Sequence, residues 1–312
     1  MHPAFSVIFF TVSSGAGYGL FIWLAIAQLF GLASLNTKTT LIAGGIALVL
    51  ITAGLLSSTL HLANPKNAWR AVMRFKTSWL SREGVFAILF YPSALLYLLA
   101  IFMSDHETTT FIKLLALSVI IIGLATVFST GMIYACLKTI RQWHTALTPA
   151  NYILMSLTSG AVLLTLVLLS NKVFAASMAI TGIGLLILTA LTKAIYYFWV
   201  HKVTGPTINT ATGFTRAQVR LLDTGHSAGT FLNQEFGYQA DPSLLKNLKV
   251  GVFVLAFFVP SLLLAGVATD YLGVGAALLA FASVLAGLGA ERWLFFAEAR
   301  HVIRLYHGAQ HT

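Results

Sequence analysis

Residues 152–200 read YILMSLTSGAVLLTLVLLSNKVFAASMAITGIGLLILTALTKAIYYFWV, two long apolar runs that only Ser170-Asn171-Lys172 interrupts. Each run can cross a bilayer, because a spanning α-helix needs about 20 mostly apolar residues. A break of three residues leaves room for only a very tight turn. The stretch therefore predicts an antiparallel hairpin of two transmembrane helices, and with it an all-α integral membrane protein.

The composition extends this prediction to the whole chain. Hydrophobic residues make up 58% of the 312 residues and charged residues 9%, with a mean hydropathy of +0.85. A soluble domain carries about 25% charged residues, so this chain lacks the polar surface of a soluble enzyme. We expect residues 1–312 to form a single transmembrane domain, a bundle of about eight helices at 5–32, 40–61, 84–103, 112–137, 152–170, 173–200, 248–268 and 271–299.

The loop charges predict how the bundle is oriented. Eight spans put both termini on one side of the membrane, here called the first face. Fourteen basic loop residues lie on this face and three on the opposite face. Because basic residues favour cytoplasmic loops, we predict cytoplasmic N- and C-termini and a bacterial inner-membrane location. The net charge of +10 is then explained by attraction to anionic lipid headgroups, and nucleic acid is not needed as a partner. The fourteen first-face residues are Lys66, Arg70, Arg74, Lys76, Arg82, Lys138, Arg141, Lys202, Arg216, Arg220, Lys246, Lys249, Arg300 and Arg304, against Lys38, Lys113 and Lys172.

The segment between spans two and three predicts an interfacial amphipathic helix. Aromatic and aliphatic side chains recur there at helical spacing, while basic and hydroxyl side chains take the opposite side. The apolar set is Trp69, Val72, Met73, Trp79 and Leu80, and the polar set is Arg70, Arg74, Thr77, Ser78 and Ser81.

Two ionisable residues bracket this segment. His61 ends span two and Glu83 opens span three, so both lie at one membrane depth, and Ser57 and Ser58 share the helical face of His61. Ionisable residues that face inward at helix ends are functional candidates. A neutral imidazole can donate to a quinone carbonyl, and a neighbouring carboxyl can carry the proton that accompanies each electron. The alternative is structural: a snorkelling His61 and a Glu83 paired with Arg82, which only terminate their helices.

Motifs spread over the whole chain resemble a known family. They are HPAFSVIFFT (2–11), SGAGYG (14–19), STLHL (58–62), AWR (68–70), SWLSRE (78–83), RQWHTALTP (141–149) and ERWLFFAEAR (291–300). The chain resembles the DmsC-like anchor subunits of the dimethyl sulfoxide reductase type. Within that family it is similar to the membrane subunits of cytoplasmic sulfite dehydrogenases. One departure is Asn64, where a glycine is expected.

The resemblance implies a function and a site. It implies the quinone-reactive anchor subunit of a heterotrimeric molybdopterin oxidoreductase, of the sulfite dehydrogenase or dimethyl sulfoxide reductase type. A four-cluster iron–sulfur subunit and a molybdopterin catalytic subunit would dock on the cytoplasmic face. The chain would not be catalytic alone, and ubiquinone or menaquinone would be its cofactor. The quinone site would include His61, Glu83, Ser57, Ser58, Trp69 and Arg82.

Three further residues are candidates for the pocket or for a proton path. His144 either lines the quinone pocket, touches a partner or is a solvated loop histidine. Glu291 and Arg292, near the end of span eight, form either a structural charge network or part of the pocket. The polar loop at about 201–247 is long, and long loops are usually functional or disordered, so we assign it to partner docking. Thr148-Pro149 is read as the N-cap and first residue of span five.

The sequence also limits the redox chemistry of the chain itself. Its one cysteine, Cys136, excludes internal disulfides, cysteine-ligated iron–sulfur clusters and thiolate zinc sites. No Cys-x-x-Cys-His motif and no obvious intramembrane histidine pair occurs, so we expect no haem and no metal.

A secondary transporter or exporter of a small anion is the alternative function. Transporter sites lie near the bilayer midplane, in broken helices of repeated halves. Here the polar residues gather at one interface and the centres of the spans carry almost no charge, which favours the anchor.

Overall fold

A computed structural model describes residues 1–59, 64–104, 109–223 and 235–312. Within these ranges, eight helices are long and apolar enough to cross a membrane, which confirms the predicted fold class. They are α1 (Phe5–Phe30), α2 (Thr37–Thr59), α3 (Trp79–Met103), α4 (Thr110–Ala135), α5 (Leu147–Ser170), α6 (Ala176–Lys202), α7 (Pro242–Ala268) and α8 (Val274–Ala297).

The predicted spans leave only two residues between 170 and 173 and between 268 and 271, which implies two tight turns, and both have the backbone that such turns need. Lys172, between α5 and α6, and Asp270, between α7 and α8, adopt φ angles of 57° and 61°. This left-handed region is uncommon for residues other than glycine and is typical of tight turns. Each turn therefore reverses the chain within a few residues and leaves two antiparallel helices side by side.

Three helices, α3, α5 and α7, begin five or six residues earlier than predicted. α3 begins at Trp79, because the Ser78 hydroxyl accepts a hydrogen bond from the Ser81 amide and caps the helix. α5 begins at Leu147, so the prediction of Thr148 as its N-cap is wrong. Thr148 is buried, and its hydroxyl donates to the Trp143 carbonyl oxygen at 2.8 Å.

α1 lies at the centre of the bundle and packs against α2, α4 and α5. Small residues bring these backbones close together. A Cβ atom on Gly19 would lie 1.8 Å from the Ser156 carbonyl oxygen of α5, and one on Gly17 would lie 2.7 Å from the Ala47 carbonyl oxygen of α2. The glycines of α1 therefore set how closely the helices approach.

α7 is continuous but irregular in its middle. Its residues Phe253–Phe258 form a π-helical turn just before Pro260, whose ring lacks an amide proton to donate. In membrane helices, local π-helical turns of this kind help to satisfy the backbone groups that a proline leaves without a partner. α7 packs against α6 and α8, and these three helices form the side of the bundle away from α2 and α3.

The loops of the first face tie both termini to the end of the bundle. The Met1 amine donates to the Ala299 carbonyl oxygen at 2.9 Å. The C-terminal residues return to the loop after α6, where the Gly205 amide donates to the Thr312 carbonyl oxygen at 2.9 Å. A short helix, Ile208–Thr212, and a 3₁₀ helix, Val302–His307, lie in these loops.

The segment between α2 and α3 differs from the predicted amphipathic α-helix. Pro65–Arg74 forms a 3₁₀ helix, while Trp79 and Leu80 belong to the first turn of α3. Val72 and Met73 are exposed, as expected for a surface segment that faces lipid headgroups or a partner subunit.

Candidate functional site

Glu83 lies one turn inside α3, not at its opening as predicted. Its side chain is only 6% exposed, and its carboxylate accepts a hydrogen bond from the Thr130 hydroxyl of α4. A buried carboxylate costs free energy unless hydrogen bonds or opposite charges compensate it. Thr130 supplies one such bond, and the burial of the carboxyl group makes it a candidate for proton transfer.

The alternative pairing of Glu83 with Arg82 is wrong. The Arg82 guanidinium donates to the carbonyl oxygens of Phe75 and Lys76, at 3.0 and 2.9 Å. It also lies 4.1 Å from the centre of the Trp79 ring. Arg82 therefore fixes the chain entering α3 and leaves the Glu83 carboxylate to Thr130.

The remaining members of the predicted quinone site are dispersed or not described. His61 lies outside the described residues. Ser57 and Ser58 are half-buried near the end of α2, and the Ser57 hydroxyl donates to the Ser6 carbonyl oxygen of α1 at 2.9 Å. Trp69 is 59% exposed, with the Arg70 guanidinium 5.6 Å from its ring.

A small cavity lies between α1, α4, α5 and α8, next to Thr130, the residue that donates to Glu83. Its volume is about 30 Å³, and its lining includes Thr130, Tyr18, Tyr152, Met155 and Arg292. A water molecule needs roughly 10–15 Å³ of such space, so the cavity suits one or two waters. It is far too small for a quinone ring, because ligand pockets usually measure about 300–1,000 Å³.

Glu291 and Arg292 belong to a buried group of three charges. The Glu291 carboxylate accepts from the Lys193 ammonium of α6 on one oxygen and from Nε of Arg292 on the other. All three side chains are buried. Arg292 also lies 4.0 Å over the Tyr152 ring. The interhelical charge network is therefore present, and it contains Lys193, for which the sequence alone suggested no partner.

His144 is an exposed residue at the mouth of a groove between α4 and α5. Its Nδ1 lies 2.7 Å from the Ala135 carbonyl oxygen, and since a carbonyl only accepts, the ring carries a proton on Nδ1. The groove has a volume of about 600 Å³ and is lined mainly by apolar side chains. Its residues Phe128 and Met132 flank Thr130 on α4, and the Trp79 ring lies 5.7 Å from that of Phe128.

A polar cavity opens among the loops of the first face. It measures about 500 Å³, and its lining includes His201, Lys249, Glu298, Arg300 and Arg304. Lys249 and Glu298 form an ion pair at 2.5 Å. Burial lowers the pKa of His301 and, together with Arg300, that of Arg304. The cavity thus combines water access with several cations.

Four residues around Glu83 and Glu291 were not singled out from the sequence: Tyr18, Thr130, Tyr152 and Lys193. A lysine inside a span is itself a signal, because such residues are costly and usually have a partner. Hydroxyl residues carry no comparable signal, since they occur throughout membrane helices as packing residues.

Comparison with known proteins agrees with this architecture. The chain matches the family of DMSO reductase anchor subunits (DmsC) over residues 1–297. It is 33% identical to the protein of Allochromatium vinosum that is named as the C subunit of sulfite dehydrogenase, over 334 aligned positions that cover 98% of this chain and 99% of that protein.

Fold and similarity together define a multi-pass membrane protein that anchors an oxidoreductase and associates with its other subunits. The chain belongs to the DmsC family.

Proposed function

We propose that this anchor subunit exchanges electrons and protons with membrane quinone on behalf of a heterotrimeric molybdopterin oxidoreductase. The sulfite dehydrogenase type is favoured by the relative from Allochromatium vinosum. The single observation that carries the proposal is the buried Glu83 carboxylate, hydrogen-bonded to Thr130 one turn inside α3. Such a group can hold a proton away from bulk water, at a depth that a lipid-soluble carrier can reach.

The geometry limits where a quinone fits. The cavity beside Thr130 is too small for the ring, so we assign the ring to the other side of Glu83, toward the end of α2. His61, which follows that helix in the sequence, stays a predicted member of the site. The apolar groove beside His144 has a suitable size for the isoprenoid tail or for entry of the ring from lipid. When bound, the quinone supplies a two-electron acceptor with two oxygens that need protons. In this arrangement Glu83 holds a proton for one of these oxygens, and Thr130 orients the carboxyl group.

The partners belong on the first face, which we assign to the cytoplasm of a bacterial inner membrane. A four-cluster iron–sulfur subunit would dock on the loops there and a molybdopterin subunit beyond it. The basic loop surfaces suit an electron-transfer partner, and the described parts of the 201–247 loop lie beside the polar cavity lined by Lys249 and Arg304. A site on this face shortens the last electron transfer to the quinone.

The test is quinone-linked turnover of the purified complex carrying Glu83→Gln. We expect a loss of roughly 10²-fold or more, the usual contribution of a general acid or base. Turnover with an artificial soluble acceptor should stay at the wild-type rate. Asp270→Asn is the matched control, because it also removes one carboxylate, and asparagine tolerates the φ of 61° in that turn.

Two results would count against the proposal. Wild-type quinone-linked turnover in Glu83→Gln would remove Glu83 from the site. Purification of the chain without any cysteine-rich iron–sulfur partner would favour the alternative, a transporter of a small anion.

A further inference from the structure

Three buried polar groups converge on the small cavity beside Glu83. Among the described residues, the hydroxyls of Tyr18 and Tyr152 and Nη1 of Arg292 make no hydrogen bond of good geometry, although Tyr18 lies near Thr126 and Tyr152 lies near Arg292. All three side chains line the cavity and are more than nine-tenths buried. Leaving such a group unpaired inside a protein is unfavourable, so we expect a small polar molecule in the cavity.

Water fits this cavity in size and in chemistry. A volume of about 30 Å³ admits one or two molecules. A water can accept a hydrogen bond from Arg292 and form hydrogen bonds with both tyrosine hydroxyls. These three polar partners lie within the two to four that a buried water needs. Thr130, which donates to Glu83, lines the same cavity. Water there would stand between the Glu83 site and the buried charge group.

The buried charge group continues the line of polar groups toward α6. Arg292 and Lys193 share the Glu291 carboxylate. The Lys193 ammonium lies 4.6 Å from the centre of the Tyr197 ring, and the Lys249 ammonium lies 5.1 Å from the same ring. Lys249 pairs with Glu298, and both line the polar cavity of the first face. The charged groups therefore follow one another from the cavity beside Thr130 toward the polar cavity of the first face, and the Tyr197 ring lies next to both lysines.

We propose that this line is the proton path between first-face water and Glu83, formed by the Lys249–Glu298 pair, Lys193, Glu291 and water held by Arg292, Tyr152 and Tyr18. The proposal rests on the proposed function, because it names the route by which Glu83 is reprotonated. Each group on the path that accepts a proton passes one on. The net change is one proton lost from the cavity and one gained by the Glu83 carboxylate. Arg292 keeps its proton and orients the water.

A high-resolution cryo-electron microscopy map of the complete complex tests the path without turnover. We expect water density within hydrogen-bond distance of Tyr18, Tyr152 and Arg292. In the Tyr152→Phe variant this density should weaken or disappear. A cavity without water density in the wild-type complex would overturn the proposal.

Turnover of a double variant, Tyr18→Phe with Tyr152→Phe, tests the path in action. Each substitution removes one hydroxyl and keeps the ring, so the packing is conserved. Quinone-linked turnover should fall roughly tenfold, below the full contribution of a general acid, because other waters still allow slow transfer. The KM for quinone should not change, and the solvent deuterium isotope effect should increase. Both signatures follow from slower proton delivery and not from weaker binding.

Tyr97→Phe is the matched control. The Tyr97 hydroxyl is also buried without a partner among the described residues, but it does not line the cavity. This variant should keep the wild-type rate and isotope effect. If the double variant behaves like Tyr97→Phe, the path is wrong.

The two proposals fail in different ways. If Glu83→Gln abolishes quinone-linked turnover while the tyrosine variants leave it intact, only the proton path fails. If Glu83→Gln itself keeps wild-type turnover, the proposed function of Glu83 fails.

Discussion

Lys193 of α6 and Glu291 of α8 form an ion pair whose side chains are 1% and 0% exposed. Arg292 binds the second oxygen of the same carboxylate. Two cations therefore surround one buried anion, and the group carries a net charge of +1. Charges inside a membrane protein are costly and tend to face the bundle interior and to pair there. This arrangement joins α6 and α8 near the first face.

The charge balance predicts unequal effects of two substitutions. Glu291→Gln leaves two buried cations without an anion, which should cost about 3–5 kcal/mol of unfolding free energy, as for other broken buried pairs. Lys193→Met leaves the neutral Glu291–Arg292 pair and should cost clearly less. The midpoint of thermal unfolding in detergent measures both. Equal midpoints for the two variants would contradict this account.

Thr130 should act as a positioning residue for Glu83. Thr130→Val removes the hydroxyl that donates to the carboxylate and should lower quinone-linked turnover roughly tenfold, at the lower end of what hydrogen bonds to charged groups contribute. Thr130→Ser should restore the rate and the pH profile of the wild type. Thr165→Val is the control, because the buried Thr165 hydroxyl donates to the Ala161 carbonyl oxygen of its own helix at 2.9 Å and does not line the cavity. A rate in Thr130→Val equal to that control would exclude this role.

The contact between α1 and α5 predicts a strong effect at Gly19. Gly19→Ala places a Cβ atom 1.8 Å from the Ser156 carbonyl oxygen, and the backbone of α5 would have to move. Overpacking of this kind costs about 1–3 kcal/mol or more. Gly45→Ala on α2 meets no atom of the bundle within 4 Å and should be neutral. Folded yield and thermal midpoint in detergent measure the difference, and a midpoint of Gly19→Ala as high as that of Gly45→Ala would contradict the close contact.

The docking of the N-terminus should depend on pH. Burial and, to a smaller extent, Arg304 lower the pKa of the Met1 amine from 8.0 to about 6, while Glu235 opposes this shift. A released N-terminus binds a proton more readily, so the docked state is favoured above pH 8 and loses stability as the pH falls through 6. Burial also lowers the pKa of the neighbouring His301 and so favours its neutral ring.

Hydrogen exchange measures this docking. The His2 amide donates to the Glu235 carbonyl oxygen at 2.8 Å. After correction for the intrinsic effect of pH, its exchange should accelerate between pH 8 and 6. The short helix Ile208–Thr212 contains no ionisable side chain and is the control. Equal acceleration in both segments would point to a general loosening of the loops and against titration of the Met1 amine.

The candidate site shows which functional residues can be identified from local sequence patterns. The sequence singles out Glu83, Glu291 and Arg292, because ionisable residues beside apolar spans are rare. It does not place Glu83 a turn inside α3, since that depends on a serine cap which local hydropathy hides. It suggests Arg82 as the partner of Glu83, but Arg82 binds backbone carbonyls instead.

The sequence alone determined the eight helices, their two tightest turns and the shared side of both termini. Helix formation in a membrane is a local requirement, because every backbone polar group must find its hydrogen bond within the segment. Only the tertiary structure decided that Thr130 binds Glu83, that Lys193 binds Glu291, and that Tyr18, Tyr152 and Arg292 meet at one cavity. These contacts join different helices. Which residues meet depends on how each helix is rotated about its axis and how deep it lies in the membrane, and hydrophobic patterns determine neither.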